Sequence, residues 1–274
     1  MKNDIVIPIG KSILQHGYFN NRIYLIKIHP DDIDQVIQRI SYLQSVYNYS
    51  KIFIKIPETL ETYFKTSDTI EEARIPGFYQ GTIDALFLSR FFDPERSQDD
   101  ASDQIRKNLL LLQERASSPT GVIKPETMVI RKATAEDISH ICSLYQRVFE
   151  TYPFPIHEPY YIKTILNDGV QFFVGVVSDG IIAAGSCEID SFASSVEMSD
   201  LAVDSAFKGL GISKHLLSFM EQQMREERVR TAFTICRAEP LPVNRLFSGS
   251  CYQFGGTLIR NTNICGNFES MNIW

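Results

Sequence analysis

Phe207-Lys208-Gly209-Leu210-Gly211-Ile212-Ser213 follow an apolar run ending Leu201-Ala202-Val203 and lead into a helical stretch that continues from Lys214. Two glycines in a strand-to-helix turn leave several backbone N–H groups without partners, and the helix dipole adds positive potential at the same point. Such a turn cradles an anion, and a pyrophosphate suits its size. A tight connection with no ligand would use the same glycines, so the turn is read together with its flanks.

The elements that must hold this turn lie in a chain of 274 residues, 44% of them hydrophobic, enough for one large core or two smaller ones. A net charge of −6 argues against a nucleic-acid partner and is compatible with a cationic substrate. The five cysteines are widely spaced with no CxxC pair, so a reducing compartment is the simple reading. The histidines form neither H-x-x-x-H nor HExxH, which leaves metal chemistry without support. MKNDIVIPIGK is too short and too interrupted to read as a signal peptide, and no apolar run approaches the ~18 residues of a membrane span. A cytoplasmic protein with no membrane partner is expected.

Composition changes at 93–127, where DPERSQDDASD leads into a helix marked by Ile105, Leu109 and Leu112, and then into the linker SSPTGVIKPET. The boundary is expected near residue 124, giving domains 1–124 and 125–274. The second alternates strand and helix. A strand at 128–132 precedes a Thr134/Asp137 capping box and a helix striped by Ile138, Ile141, Leu144, Tyr145 and Val148. The proline-rich loop 152–161 and a short helix to Leu166 follow. Runs at 170–177 and 181–189 flank Ser178-Asp179-Gly180, a hairpin signal, and Ser195–Val203 is a third strand. A helix over 212–226 has Leu216, Leu217, Met220 and Met224 on one stripe; 231–236 is a strand, 243–248 a helix, and 256–264 and 268–274 are strands.

This order of elements, with the glycine turn, resembles the GCN5-related N-acetyltransferase (GNAT) superfamily, whose loop [RQ]-x-x-G-x-[GA] holds the CoA pyrophosphate. Lys208, Gly211 and Ser213 match it here with two departures, lysine keeping the charge in a less fixed geometry. Across nearly the whole chain, GKSILQHG, YSKIFIKIP, EARIPGFYQG, FETYPFPI, FGGTLIRNTNICG and ESMNIW resemble the beta-lysine N6-acetyltransferases, which make a compatible solute. The resemblance implies an α/β (α+β) fold with a mixed, mostly antiparallel sheet flanked by helices, and acetyl-CoA as co-substrate with no metal. Its contacts would be Leu201, Ala202 and Val203 through their main chain, then Lys208, Gly209, Leu210, Gly211, Ile212, Ser213 and Lys214, with Asn244 from the pattern N-x-x-A-x-x-x-Y. An acceptor other than beta-lysine, such as a polyamine or another amino acid, is the alternative, as is a non-catalytic acyl-CoA sensor.

Acetyl transfer needs a base, because an ammonium has a pKa near 10.4 in water, and a donor for the developing oxyanion. The resemblance gives Glu197 as candidate base, against a solvated strand carboxylate; simple alternation puts it on one face with Ser199, Leu201 and Val203. Asp200 is the runner-up, on the other face unless a β-bulge shifts the phase. Neither register of the tyrosine pattern yields tyrosine, so Tyr252 is the substitute acid, with packing as its ordinary reading. Glu150, Tyr152 and Phe154 of the YPFP loop, with Glu72 and Tyr79, are acceptor-binding candidates. Residues 1–124 read as β-α-β-α-β, with strands at 22–28, 51–56 and 70–75. This smaller α/β domain is expected to be a degenerate GNAT-like half that covers the acceptor site or builds a homodimer interface.

Overall fold

The computed structural model describes residues 4–114, 128–150, 152–178, 180–264 and 266–274. The expected boundary near residue 124 and the turn residue Asp179 lie outside the described residues. The first half contains β1 (Ile5–Ile9), β2 (Ser12–Gly17), β3 (Arg22–Lys27), α1 (Ile33–Tyr47) and β4 (Lys51–Pro57). It continues through a one-turn α2 (Glu61–Phe64), the hairpin β5 (Ile70–Tyr79) and β6 (Ile83–Phe91), and α3 (Ser102–Glu114). The second half begins with β7 (Val129–Lys132), α4 (Ile138–Val148), α5 (Pro159–Asn167), β8 (Gln171–Val177) and β9 (Gly180–Asp190). After these come β10 (Ser195–Val203), α6 (Ile212–Glu226), β11 (Thr231–Phe233), β12 (Ile235–Arg237), α7 (Leu241–Ser248), β13 (Gly256–Ile264) and β14 (Asn267–Ile273).

The strands form two sheets. Nine run in the order β1-β2-β3-β4-β6-β5-β13-β14-β12, and five in the order β11-β10-β9-β8-β7. Among the described residues only β3–β4 and β10–β11 pair in parallel, so the mixed, mostly antiparallel expectation holds. The larger sheet draws strands from both halves of the chain. Its junction is the pairing of Ala73 in β5 with Gly256 in β13. Gly256 has φ +138°, and a Cβ there would stand 2.2 Å from the Glu72 carbonyl oxygen, so only glycine lets the strands approach. Beside it the Lys51 ammonium donates to Glu72 at 2.7 Å and to the Ile259 carbonyl at 2.8 Å. The Ile259 amide donates back to Glu72 at 2.7 Å, which fastens β4, β5 and β13 together.

Helix α6 covers one face of the smaller sheet. Leu216, Leu217 and Met220 are fully buried against Val196 and Met198 of β10. Each such side chain contributes about 1.5–3 kcal/mol, more than the helix's intrinsic propensity supplies. On the opposite face Ile141, Leu144 and Tyr145 of α4 pack against Phe172, Val174 and Ala184. The expected capping box is present at Thr134 and Asp137, and Arg131 also grips Asp137 at 2.7 Å. Among the described residues no helix is long and apolar enough to cross a membrane.

Three strands were not expected: β1, β2 and β6. The expected β-α-β-α-β order is present as β3-α1-β4-α2-β5; β1 and β2 precede it as an antiparallel set with β3, and β6 follows as a hairpin with β5. The single strand expected at 231–236 is two, because the chain changes sheets at Thr234, whose amide donates to Trp274 of the larger sheet at 3.0 Å.

Candidate active site

Strand β10 pairs with β11 only at Ser195–Glu197, opposite Thr231–Phe233. Beyond that point β12 leaves to pair with β14, so Met198–Val203 have β9 on one edge and, among the described residues, no strand on the other. At the end of this free edge lies the glycine turn. Gly209 has φ +81° and Gly211 φ +72°; Gly211 is the N-cap of α6, and no side chain caps the helix. The first amides of α6 are thus open to an anion, with Lys208 exposed beside them. An open strand edge running into an uncapped helix N-terminus fits an extended chain ending in a pyrophosphate. Lys208 to Lys214 and the main chain of Leu201–Val203 are contiguous with that path.

The register of β10 shifts between Ser199 and Ala202, and Asp200 takes φ +54°. This bulge corrects the alternation argument. Glu197, Ser199 and Asp200 all line one cavity, whereas Leu201 and Val203 turn to the α6 core. Across the strand pair Glu188 of β9 stands opposite Glu197 and lines the same cavity. Three carboxylates therefore converge. Burial pushes Glu197 up to about 7, with Asp200 adding to the rise while Lys55 and the Ile235 amide pull it down. Burial also raises Glu188, helped by the charges of Glu197 and Asp200, and it raises Asp200 against hydrogen bonds that lower it. Those bonds come from the Tyr152 hydroxyl and from Ser186 Oγ at 2.7 Å, so Asp200 is held in place by donors. Glu197 has no such side-chain donor among the described residues, and its raised pKa suits a proton acceptor near neutral pH.

The cavity, about 510 Å³, lies between the two sheets. One wall is β9, β10 and the YPFP loop; the other is β3, β4 and β5 of the first half, through Tyr24, Phe53, Lys55 and Phe78. Phe154 lines it, stacked nearly parallel to Tyr161 at 6.4 Å. Tyr152 lines it too, as the partner of Asp200.

Four expected residues have other places. Glu72 is sealed in the ion pair with Lys51, its side chain 1% exposed, and does not line the cavity. Glu150 is exposed and does not line the cavity, and Tyr79 packs edge-on against Phe78 behind the wall. Asn244 is 1% exposed: its amide donates to the Arg237, Ala238 and Pro240 carbonyls, and its oxygen accepts from Asn272 and Trp274. That network fastens α7 to β12 and β14 and leaves no group for a cofactor. Tyr252 is corrected as well. It packs edge-on against Phe247 and lines a second cavity of about 640 Å³ with Met198, on the face of β10 opposite the carboxylates. Sequence reasoning missed Glu188 and Lys55; their only signal is a polar residue inside a β-rich run, and strand pairing is needed to aim them.

Residues 138–248 match the acetyltransferase (GNAT) family model. The chain is 34% identical to the beta-lysine N(6)-acetyltransferase of Methanococcus maripaludis, over 98% of this chain and 97% of that protein. It is 27% identical to the N-acetyltransferase YodP of Bacillus subtilis, over 96% of this chain and 94% of that one. It is also 27% identical to the beta-lysine N(6)-acetyltransferase of Methanosarcina mazei, over 88% and 96%. With an open strand edge, an uncapped glycine turn and a relative matched along almost its full length, the chain belongs to the GNAT family and is an N-acetyltransferase.

Proposed function

We propose that this enzyme transfers the acetyl group of acetyl-CoA to the N6 amine of beta-lysine, forming the compatible solute N6-acetyl-beta-lysine in the cytoplasm. The observation that carries this reading is the carboxylate-lined cavity at the point where β10 parts from β11. Two relatives named for that reaction support the acceptor.

Acetyl-CoA supplies an acyl group activated as a thioester. The open amides before and within the first turn of α6, with Lys208 and Lys214, would hold its pyrophosphate, and the free edge of β10 would pair with its extended arm. The ionised members of the Glu188, Glu197 and Asp200 cluster attract the acceptor's ammonium, and the protonated ones accept hydrogen bonds from it. Glu197 takes a proton from that ammonium, and the amine nitrogen then attacks the acetyl carbonyl carbon. Main-chain N–H groups of Leu201–Val203 on the open edge stabilise the oxyanion. The C–S bond breaks and CoA leaves as a thiolate, whose pKa near 8.5 makes it a tolerable leaving group without a dedicated acid; the second proton lost from the nitrogen passes to the departing sulfur or to solvent. Asp200, fixed by Tyr152 and Ser186, keeps the bulge and the charge of the cluster in place.

The first half of the chain forms the acceptor wall in this reading. Release of CoA thiol, measured with beta-lysine, lysine, spermidine and a lysine-containing peptide, tests it. Turnover with beta-lysine well above the others is expected; turnover confined to another amine would discard the acceptor.

A further inference from the structure

Three cations of the first half line the cavity: Arg22, Lys27 and Lys55. Two of them are engaged. The Arg22 guanidinium donates to the Asn261 carbonyl and lies 3.4 Å from the Thr262 hydroxyl. Lys27 Nζ is 3.6 Å from the Asp190 carboxylate. Lys55 makes no hydrogen bond and no ion pair among the described residues. Its ammonium lies instead over the rings of Phe78 and Phe233, 5.0 and 5.7 Å from their centroids.

Two aromatic faces compensate an ammonium only in part. Burial disfavours the charged form of Lys55, and Glu197, Asp190 and Glu188 sustain it from a distance. A cation on a cavity wall without a contacting counter-ion is costly unless a ligand brings the anion. The opposite wall holds the acids that receive an ammonium. The cavity is therefore bipolar, negative on β9 and β10 and positive on β4. A polyamine satisfies only the negative wall, whereas an amino acid with a distal amine satisfies both.

We propose that Lys55 binds the carboxylate of the acceptor and so selects a diamino acid over amines that lack a carboxylate. The inference rests on the acetyltransferase reading given above and adds a residue and a selectivity that the reading does not require. It also gives the first half a chemical task, since Lys55 is delivered by β4 to a site whose base is on β10.

The test compares beta-lysine with its carboxamide, in which a neutral amide replaces the carboxylate, using the intact enzyme and the variants Lys55→Met, Lys55→Gln and Lys55→Arg. The wild-type enzyme should favour beta-lysine over the carboxamide. Lys55→Met and Lys55→Gln should lower kcat/KM for beta-lysine about 10- to 100-fold more than for the carboxamide, mostly through KM, any loss common to both substrates reporting the pull of Lys55 on Glu197. Lys55→Arg should keep most of the preference. Equal losses with both substrates in the Met and Gln variants would overturn the proposal, because Lys55 would then act on the charge of Glu197 or on the fold. Unchanged kinetics with both would overturn it as well. A wild-type enzyme inert toward beta-lysine removes the acceptor reading and this inference together, while an active enzyme with non-selective losses removes the inference alone.

Discussion

Lys51 and Lys55 are four residues apart on β4, on the same side of the strand by its alternation, and they have opposite fates. Lys51 is sealed, with its side chain and that of Glu72 at 0% and 1% exposure, and it holds Glu72 at 2.7 Å beside the junction with β13. Lys55 lines the cavity with no contacting anion. Burial lowers the pKa of both ammonium groups, and only Lys51 has a carboxylate within hydrogen-bond reach to offset it. One lysine completes the sheet and the other awaits a ligand. A strand read as a wall thus has a structural end and a chemical end, and each end can be attacked separately.

The largest effect is expected at the chemical end. Glu197→Gln should lower the rate about 10²–10⁴-fold near neutral pH. Wild-type kcat/KM should rise with pH through about 7, as Glu197 loses its proton. In the variant that inflection should vanish, with activity returning only as the amine deprotonates unaided; a pH-rate profile that keeps the inflection would move the role to Asp200 or to water. At the structural end, Glu72→Ala leaves a buried lysine unpaired and should cost about 3–5 kcal/mol of folding stability. Urea titration reads this directly, and a loss below about 1 kcal/mol would mean that the Lys51 pair is not sealed.

Sequence pattern revealed much of the scaffold and less of the site. Ser195–Val203 and 212–226 were legible to the residue, because a β-rich run and a 3.6-residue stripe are local signals. The glycine turn was legible through motif and spacing, and Glu197 entered as a candidate through the family resemblance. The bulge at Asp200 was not, since alternation has no means of showing an extra residue; it is the shift that brings Asp200 onto the face of Glu197. Glu188 and Lys55 are aimed by strand pairing and by the meeting of two sheets, which no local window contains. Glu72 misled for the reverse reason: beside Arg74 and Tyr79 it reads as part of a polar patch, and only the distant Lys51 and Ile259 show where it is spent.

Two smaller effects sharpen the same contrast. Gly211→Val places a β-branched residue at φ +72°, at a cost of about 1–2 kcal/mol. The KM for acetyl-CoA should rise about tenfold with little change in discrimination among amines, and an unchanged KM would detach the turn from the cofactor. Glu188→Gln should act mildly on stability. Its carboxyl is raised in the folded protein to about 8 from 4.5, so the fold disfavours its charge; the penalty is absent below about pH 4 and complete above about pH 8. The variant should therefore be more stable than wild type in alkali, by under about 1 kcal/mol after solvent screening, and equal to it in acid. Thermal melts at both pH values check the sign.

The pairing of Ala73 with Gly256 has a consequence in time. During synthesis β5 emerges long before the strand that will cover its edge, and at ~5–20 residues per second the interval is roughly ten seconds or longer. Until then the nascent chain presents an unpaired strand edge, a template for adhesion to other chains. Contacts such as that of Arg22 with Asn261 close over nearly the whole polypeptide, so high contact order makes the last folding step slow. The wall that carries Lys55 can pair its own strands early, but the sheet to which it belongs is complete only when the final hairpin docks against β5.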